Sequence, residues 1–275
     1  MKNTSLLALI ISTIFTTVAF ATEPDIPNND KKPITATLIP ETPDNKFSIG
    51  LAAGTTLPLQ DYKASGTASD SNHVVGSAQT GIHFNVTAGY KFYKIVGAMV
   101  MIGGNINSYN AAVSGFGSAA VPSGPHYVGQ YLAGPYVSIP VGKKLFIEAR
   151  ALVGLMTSHY PELKESASAS FGGFATISGS VDTKIKSGTA FGYSGGVGAK
   201  YMLDNHFGIT LNMAYSGSNM KYPSYMVHTV ETSSSIFQAF SPSTNTNIDN
   251  TTIHSTPLHM SIGMINISAG AVYSF

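Results

Sequence analysis

MSIGMINISAGAVYSF, residues 260–275, is the stretch whose alternation decides the fold. Phe275, Tyr273, Ala271, Ala269, Ile267 and Ile265 fall on one side of an extended chain, and Ser274, Val272, Gly270, Ser268 and Asn266 on the other. Successive side chains point to opposite faces of a strand, so a period of two with one apolar face predicts a β-strand. A last strand left as an open edge would present unpaired N–H and C=O groups to any passing chain, and closure onto a first strand removes that edge.

The same rule recurs seven more times. Phe47–Leu57 puts Phe47, Ile49, Leu51, Ala53, Thr55 and Leu57 on one face; the stretch 81–92 puts Ile82, Phe84, Val86, Ala88, Tyr90 and Phe92 outward, with His83, Asn85, Thr87, Gly89 and Lys91 inward. Stretches 96–105, 131–139, 145–156, 191–201 and 207–215 follow suit, with Pro135 marking a bulge or local break in the fourth. The strands number eight. Connections after the second, fourth and sixth are short turns, whereas those after the first, third, fifth and seventh are long (about 60–80, 107–130, 158–190 and 217–259).

Composition selects the environment. Charged residues make up 11% of the 275, against roughly 25% in ordinary soluble domains. Beyond the first twenty residues no apolar run reaches the ~18 that a spanning helix needs. A transmembrane barrel fits both facts, because lipid-facing and lumen-facing residues alternate and the apolar surface is never a continuous run. The predicted fold is therefore all-β: an eight-stranded antiparallel transmembrane β-barrel, wound as an up-and-down meander. Phe47, Tyr90, Phe92, Tyr201, Phe207, Tyr273 and Phe275 would form one interfacial aromatic row and Tyr131, Tyr193 and Tyr215 the other. The alternative is a secreted β-sandwich with those aromatics in its core.

Net charge is +1 without a basic tract, which leaves no electrostatic footprint for nucleic acid, and there is no cysteine for a disulfide or thiolate site. Lys2, the apolar core Leu6–Val18 and Ala19-Phe20-Ala21 read as a secretory signal peptide over residues 1–21. Residues 22–45, with five prolines among charges and amides, read as a disordered periplasmic lead, and residues 46–275 as the barrel.

From Lys46 to Phe275 the chain resembles the small outer-membrane barrels of the OmpA transmembrane-domain, OmpX and opacity-protein type. The resemblance rests on strand pattern and on the closing strand, where Tyr273 and Phe275 match the assembly signal of such barrels. It implies a multi-pass protein of the bacterial outer membrane with both termini periplasmic. Its partners would be outer-membrane lipid, lipopolysaccharide and the barrel assembly machinery. The sequence ends at the closing strand without the periplasmic cell-wall-binding domain of full-length OmpA-type proteins, so wall anchoring is not implied.

An eight-stranded barrel is just wide enough for its own side chains to fill. Lys91, Glu148, Arg150 and Lys200 face inward in this pattern and are expected to form a structural ion-pair cluster, or an electrostatic gate, with Glu148 opposite Lys200. Six histidines (His73, His126, His159, His228, His254 and His259) fall in or beside the long connections without zinc-site spacing and are expected to be solvated; no metal or cofactor is expected. Ser158, His159 and Glu162 are the one grouping of hydrolase type, but neighbours on a strand point to opposite faces, so no catalytic residue is assigned and the chain is not read as an enzyme. Phe171, Phe174, Ile236, Phe237 and Phe240 are candidate contacts for a host or environmental surface ligand; packing against neighbouring loops, or strands extended above the membrane, is the plainer alternative. The expected role is adhesion, surface antigen or membrane integrity. A small diffusion pore is the alternative, and a lipid-modifying enzyme a third.

Overall fold

The computed structural model describes residues 45–65, 72–110, 121–171, 175–235 and 247–275. The expected signal peptide, nearly all of the Pro-rich lead, and Phe174, Ile236, Phe237 and Phe240 lie outside the described residues. In chain order the elements are β1 (Phe47–Leu59), the single-turn helix α1 (Gln60–Lys63), β2 (Ala78–Lys91), β3 (Val96–Tyr109), β4 (Val121–Pro122), β5 (His126–Pro140), β6 (Leu145–His159), β7 (Leu163–Phe171), β8 (Ala175–Ile185), β9 (Gly188–Met202), β10 (Phe207–Tyr222), β11 (Tyr225–Ser235), β12 (Asn247–His254) and β13 (Leu258–Ser274).

Eight of these close into a barrel in the order β1-β13-β10-β9-β6-β5-β3-β2, so each strand pairs antiparallel with its predecessor among the eight. The predicted alternation is seen directly: outside, Leu51, Ile82 and Leu211 are 59–63% exposed, while inside, Ala52, His83 and Asn85 are buried. A soluble protein does not leave a whole belt of large aliphatic side chains in water, so the belt faces lipid. The sandwich alternative falls with it. The aromatic rows are also in place, with Phe47 ringed by Tyr90 at 4.7 Å and Phe275 at 6.1 Å, and Tyr193 beside Tyr215 at 6.1 Å.

The barrel has a turn end and a loop end. At the turn end β2–β3, β5–β6 and β9–β10 are joined by four residues each; in the last turn Asp204 Oδ1 accepts the N–H groups of His206 and Phe207, both at 2.7 Å. The long connections at the other end are not simple loops. β4, β7, β8, β11 and β12 form a second antiparallel sheet in the order β12-β11-β8-β7-β4, built from three of them. Alternation there is a weak signal: β11 and β12 carry polar residues in both alternating sets, and the apolar set of β7 and β8 includes small residues such as Ala167, Ala169 and Gly179.

Pro135 interrupts β5 without a bulge. Pairing of β5 with β6 lapses between Ala133↔Val153 and Tyr136↔Arg150 and resumes in the same register, while Pro135 still stands opposite Ala98 on β3. The missing proline N–H therefore costs the ladder on one side only.

Closure runs from Ser48↔Ser274 to Leu59↔Gly263 on β1 and β13. The chains are close enough there that a Cβ on Gly54 would overlap the Ile267 carbonyl oxygen, a backbone atom that cannot step aside. Gly54→Ala should therefore lower barrel stability by about 1–3 kcal/mol, read as a shifted urea midpoint for the folded, compact band on unheated gels. A midpoint equal to the parent's would show the seam to be looser than drawn.

Candidate functional site

The lumen divides into three levels. Nearest the turn end are the charges. Lys200 Nζ donates to Glu148 Oε1 in an ion pair, and Ser138 Oγ donates to the same oxygen at 3.1 Å. The expectation that Glu148 lies opposite Lys200 is corrected: Lys200 pairs with Phe146 and Glu148 with Gly198, two residues away. Register follows the stagger of a closed barrel, which connection length does not set. The ion pair is diagonal, running between residues two register positions apart. Lys200 also sits 5.2 Å above the Phe146 ring. Arg150 lines the same level, and Lys91 stands at the rim opposite Gly97. Side-chain packing and register thus bring Glu148, Arg150 and Lys200 together and put Lys91 at the edge.

The middle level is dry. Leu132, Leu152, Met156, Gln130 and Met264 are at most 1% exposed, and Gln130 Nε2 donates to Met264 Sδ at 3.6 Å. A water-filled channel would leave these side chains accessible. Glycines make the packing possible: a Cβ on Gly192 would overlap Met156, and nearer the turn end one on Gly97 would press on the Tyr136 ring. His83, Asn85 and Asn105 bond one another through contacts of 2.8 Å, while Asn105 Nδ2, Gln130 Oε1 and Asn266 Oδ1 are buried without a partner among the described residues.

A cap closes the loop end. A strand needs about 9–11 residues to cross a membrane, so crossings that start at the turn end finish near Ile106, Gly129, Leu155 and Gly217. Beyond them lie Tyr109, His126, Tyr160 and Tyr222. The cap is made by residues 60–65 and 72–77: α1 buries Tyr62 completely, and its hydroxyl donates to Asn107 Oδ1 at 3.0 Å. Two residues with positive φ bracket it, Gln60 at 56° and Ser77 at 45°, a conformation that costs non-glycine residues about 1–2 kcal/mol each. Tertiary contacts hold it there. Tyr160 Oη donates to the Val75 carbonyl at 2.9 Å, the Ser261 N–H donates to Asp61 Oδ2 at 3.1 Å, and His73 pairs with Asp61 at 3.0 Å.

His126 is the hub. Expected to be solvated, it is fully buried, with Tyr160 at 4.7 Å, Tyr62 at 5.4 Å and Tyr109 at 5.7 Å between ring centroids. Nε2 donates to the Gly76 carbonyl at 2.6 Å, which fixes the tautomer and leaves Nδ1 without a hydrogen. Burial among aromatic rings pushes its pKa down to about 4, with the field of His159 acting in the same sense, and burial pushes the Tyr62, Tyr160 and Tyr222 hydroxyls up. Three of these tyrosines were legible: continuing the inward phase by two steps on β3 and β6 and by four on β10 reaches Tyr109, Tyr160 and Tyr222. The predicted strands stopped short of them.

Ser158 and His159 do point apart. Ser158 Oγ is buried against Tyr222 Oη at 2.8 Å, while His159 is exposed and its Nδ1 meets Ser187 Oγ at 3.0 Å. Among the described residues no group of His, Asp and Glu is placed to hold a metal. The backbone of Phe171 pairs with Ala175 at the tip of the β7–β8 hairpin.

No known protein family and no curated protein matches the chain. Among solved structures it is similar to Neisserial surface protein A (12% identity over 83% of this chain and 97% of that one, TM-score 0.44), to OprG from Pseudomonas aeruginosa (13%, 84% and 97%, 0.41) and to the attachment invasion locus protein Ail of Yersinia pestis (15%, 84% and 99%, 0.38). The class rests on this chain's own geometry. Closed pairing of eight strands, an apolar outer belt and a filled interior define a small transmembrane β-barrel with a capped lumen and a sheet at its loop end.

The cap carries a pH dependence of definite sign. His126 is neutral when buried and protonates near 6.5 once the cap lifts, so the closed state has its full stability above pH 6.5 and loses it as pH falls toward 4. The loss is roughly 2–3 kcal/mol over that window. Amide hydrogen exchange of residues 60–65 and 72–77 should accelerate at pH 4.5 relative to intrinsic rates, while His126→Gln shows no such step and His73→Gln keeps it. Equal protection at pH 7 and 4.5 would contradict the assignment.

Proposed function

We propose that the chain is a bacterial outer-membrane protein whose working part is its loop-end sheet, displayed at the cell surface for adhesion and, being exposed, as a surface antigen. The turn end and both termini lie in the periplasm in this reading. The partners are lipopolysaccharide-rich lipid around the belt and a host or environmental surface above it. One observation carries the reading: hairpins from two different connections, β7–β8 and β11–β12, are joined along β8 and β11 by eleven paired residues, Tyr225↔Ile185 to Ser235↔Ala175.

Free loops would have to be ordered at each encounter, which costs about 1–2 kcal/mol for every residue fixed. A sheet built in advance has met that cost in folding. Its side chains are polar and interleaved, with His228 held between Thr251 Oγ1 at 3.1 Å and Asp249 at 3.4 Å and Tyr225 stacked on His254 at 4.5 Å. Ile253 stands 69% exposed on β12, an apolar contact point on that surface. The dry middle level of the lumen supports this reading over the diffusion pore.

Replacing residues 226–253 with a short turn removes β11 and β12 and leaves the eight barrel strands intact. Cells displaying that variant should insert it at the parental level, judged by surface labelling and the heat-sensitive gel shift, yet lose adherence to epithelial monolayers and abiotic surfaces. Undiminished adherence of correctly inserted variant would overturn the proposal.

A further inference from the structure

The eight barrel strands carry one carboxylate, Glu148, against Lys91, Arg150, Lys200 and Lys221. Glu148 is engaged by Lys200 and Ser138. The Arg150 guanidinium, two residues further along the same inward face, has no hydrogen-bond or ion-pair partner among the described residues, although it feels the field of Glu148. Arg150 is half-buried at the turn end, and with its nearest carboxylate already committed to Lys200 it leaves a positive charge for an incoming anion to meet.

Space exists beside it. A cavity of about 10 Å³ is lined by Arg150, Glu148, Tyr136, Met99, Gly196, Gly198 and Asn212, about the room that one water-sized occupant needs. Asn212 faces it with an amide whose Nδ2 makes a single long bond, 3.3 Å to Thr210 Oγ1. The glycines let β10 come close, since a Cβ on Gly198 would overlap Asn212 Oδ1 and one on Gly196 would approach Ala214 Cβ to 2.8 Å, and this seats the Asn212 amide beside the cavity. Toward the loop end the dry level of Leu132, Leu152 and Met156 blocks passage, whereas Glu148 and Lys200 keep 18% and 10% of their side-chain surface accessible. The level is a blind vestibule open at the turn end.

We propose that this vestibule binds one small inorganic anion of the halide class, held by the Arg150 guanidinium with the Asn212 amide beside it. The ion supplies the counter-charge that Arg150 lacks, and the cavity is too small for sulfate, phosphate or a lipid headgroup. Binding is structural: the anion enters and leaves by the turn end and does not cross the barrel. This holds whether or not the loop-end sheet is an adhesive surface.

The test uses the full chain refolded in detergent micelles, with sodium chloride exchanged for sodium gluconate at constant ionic strength. Far-UV circular dichroism, suited to a chain without tryptophan, should show a thermal midpoint that rises with chloride and saturates, by about 3 °C in all. Arg150→Met should be insensitive to the exchange. Crystals grown in sodium bromide should show an anomalous peak in contact with Arg150, which keeps the proposal testable if that variant fails to fold. A parental midpoint equal in chloride and gluconate, an equal chloride response in Arg150→Met, or an ordered Arg150 without bromide would each overturn it.

Discussion

Pairing of β1 with β13 is the contact on which everything else depends. In a hydrocarbon setting each unpaired N–H or C=O costs several kcal/mol, with no water to relieve it. Twelve residue pairs line this seam, so an open form would carry a penalty far above the 5–15 kcal/mol by which a domain is stable. Closure is obligatory, and it dictates the glycines where backbones approach most closely, the alternation of every strand and the two aromatic rows at the edges of the apolar belt.

Closing only eight strands fixes the interior as well. The space is so narrow that side chains fill it, and the three levels show how: an ion pair with a vestibule, a band of Leu and Met, then tyrosines packed on His126. Charge sits where the turn end can hydrate it, and apolar bulk sits where water must be excluded. The cap over the tyrosines holds strained backbone at Gln60 and Ser77, and it persists because Tyr62, Asp61, Val75 and Gly76 are each tied to the barrel. Above it, chain length that a minimal barrel does not need is organised as a second sheet.

Much of this was legible in the sequence because a barrel strand obeys one rule, apolar outward and small or polar inward, and residues 47–57, 81–92 and 260–275 obey it closely. The inward charges on β6 and β9 were found by phase alone. What phase could not give was register: Glu148 meets Lys200 across a diagonal, since shear is a property of the closed sheet. His126 was misjudged for a related reason. A histidine near a long connection reads as solvated until the cap that buries it is known, and the cap is held by contacts spanning fifty residues or more, such as His126 to Gly76. The second sheet stayed hidden because polar residues occupy both alternating sets of β11 and β12, while β7 and β8 do alternate but with small residues such as Ala167, Ala169 and Gly179 in the apolar set, which shrinks the polarity difference that makes strands visible.

The account turns on a lumen that is packed from the Leu132 level to the Tyr62 cap. Conductance of the refolded chain in a planar bilayer measures this directly. Protein shown to be inserted and folded should leave the membrane silent under applied voltage at neutral pH. A steady single-channel current that Glu148→Ala alters would mean that water and ions pass the middle level, and would contradict the account at its centre.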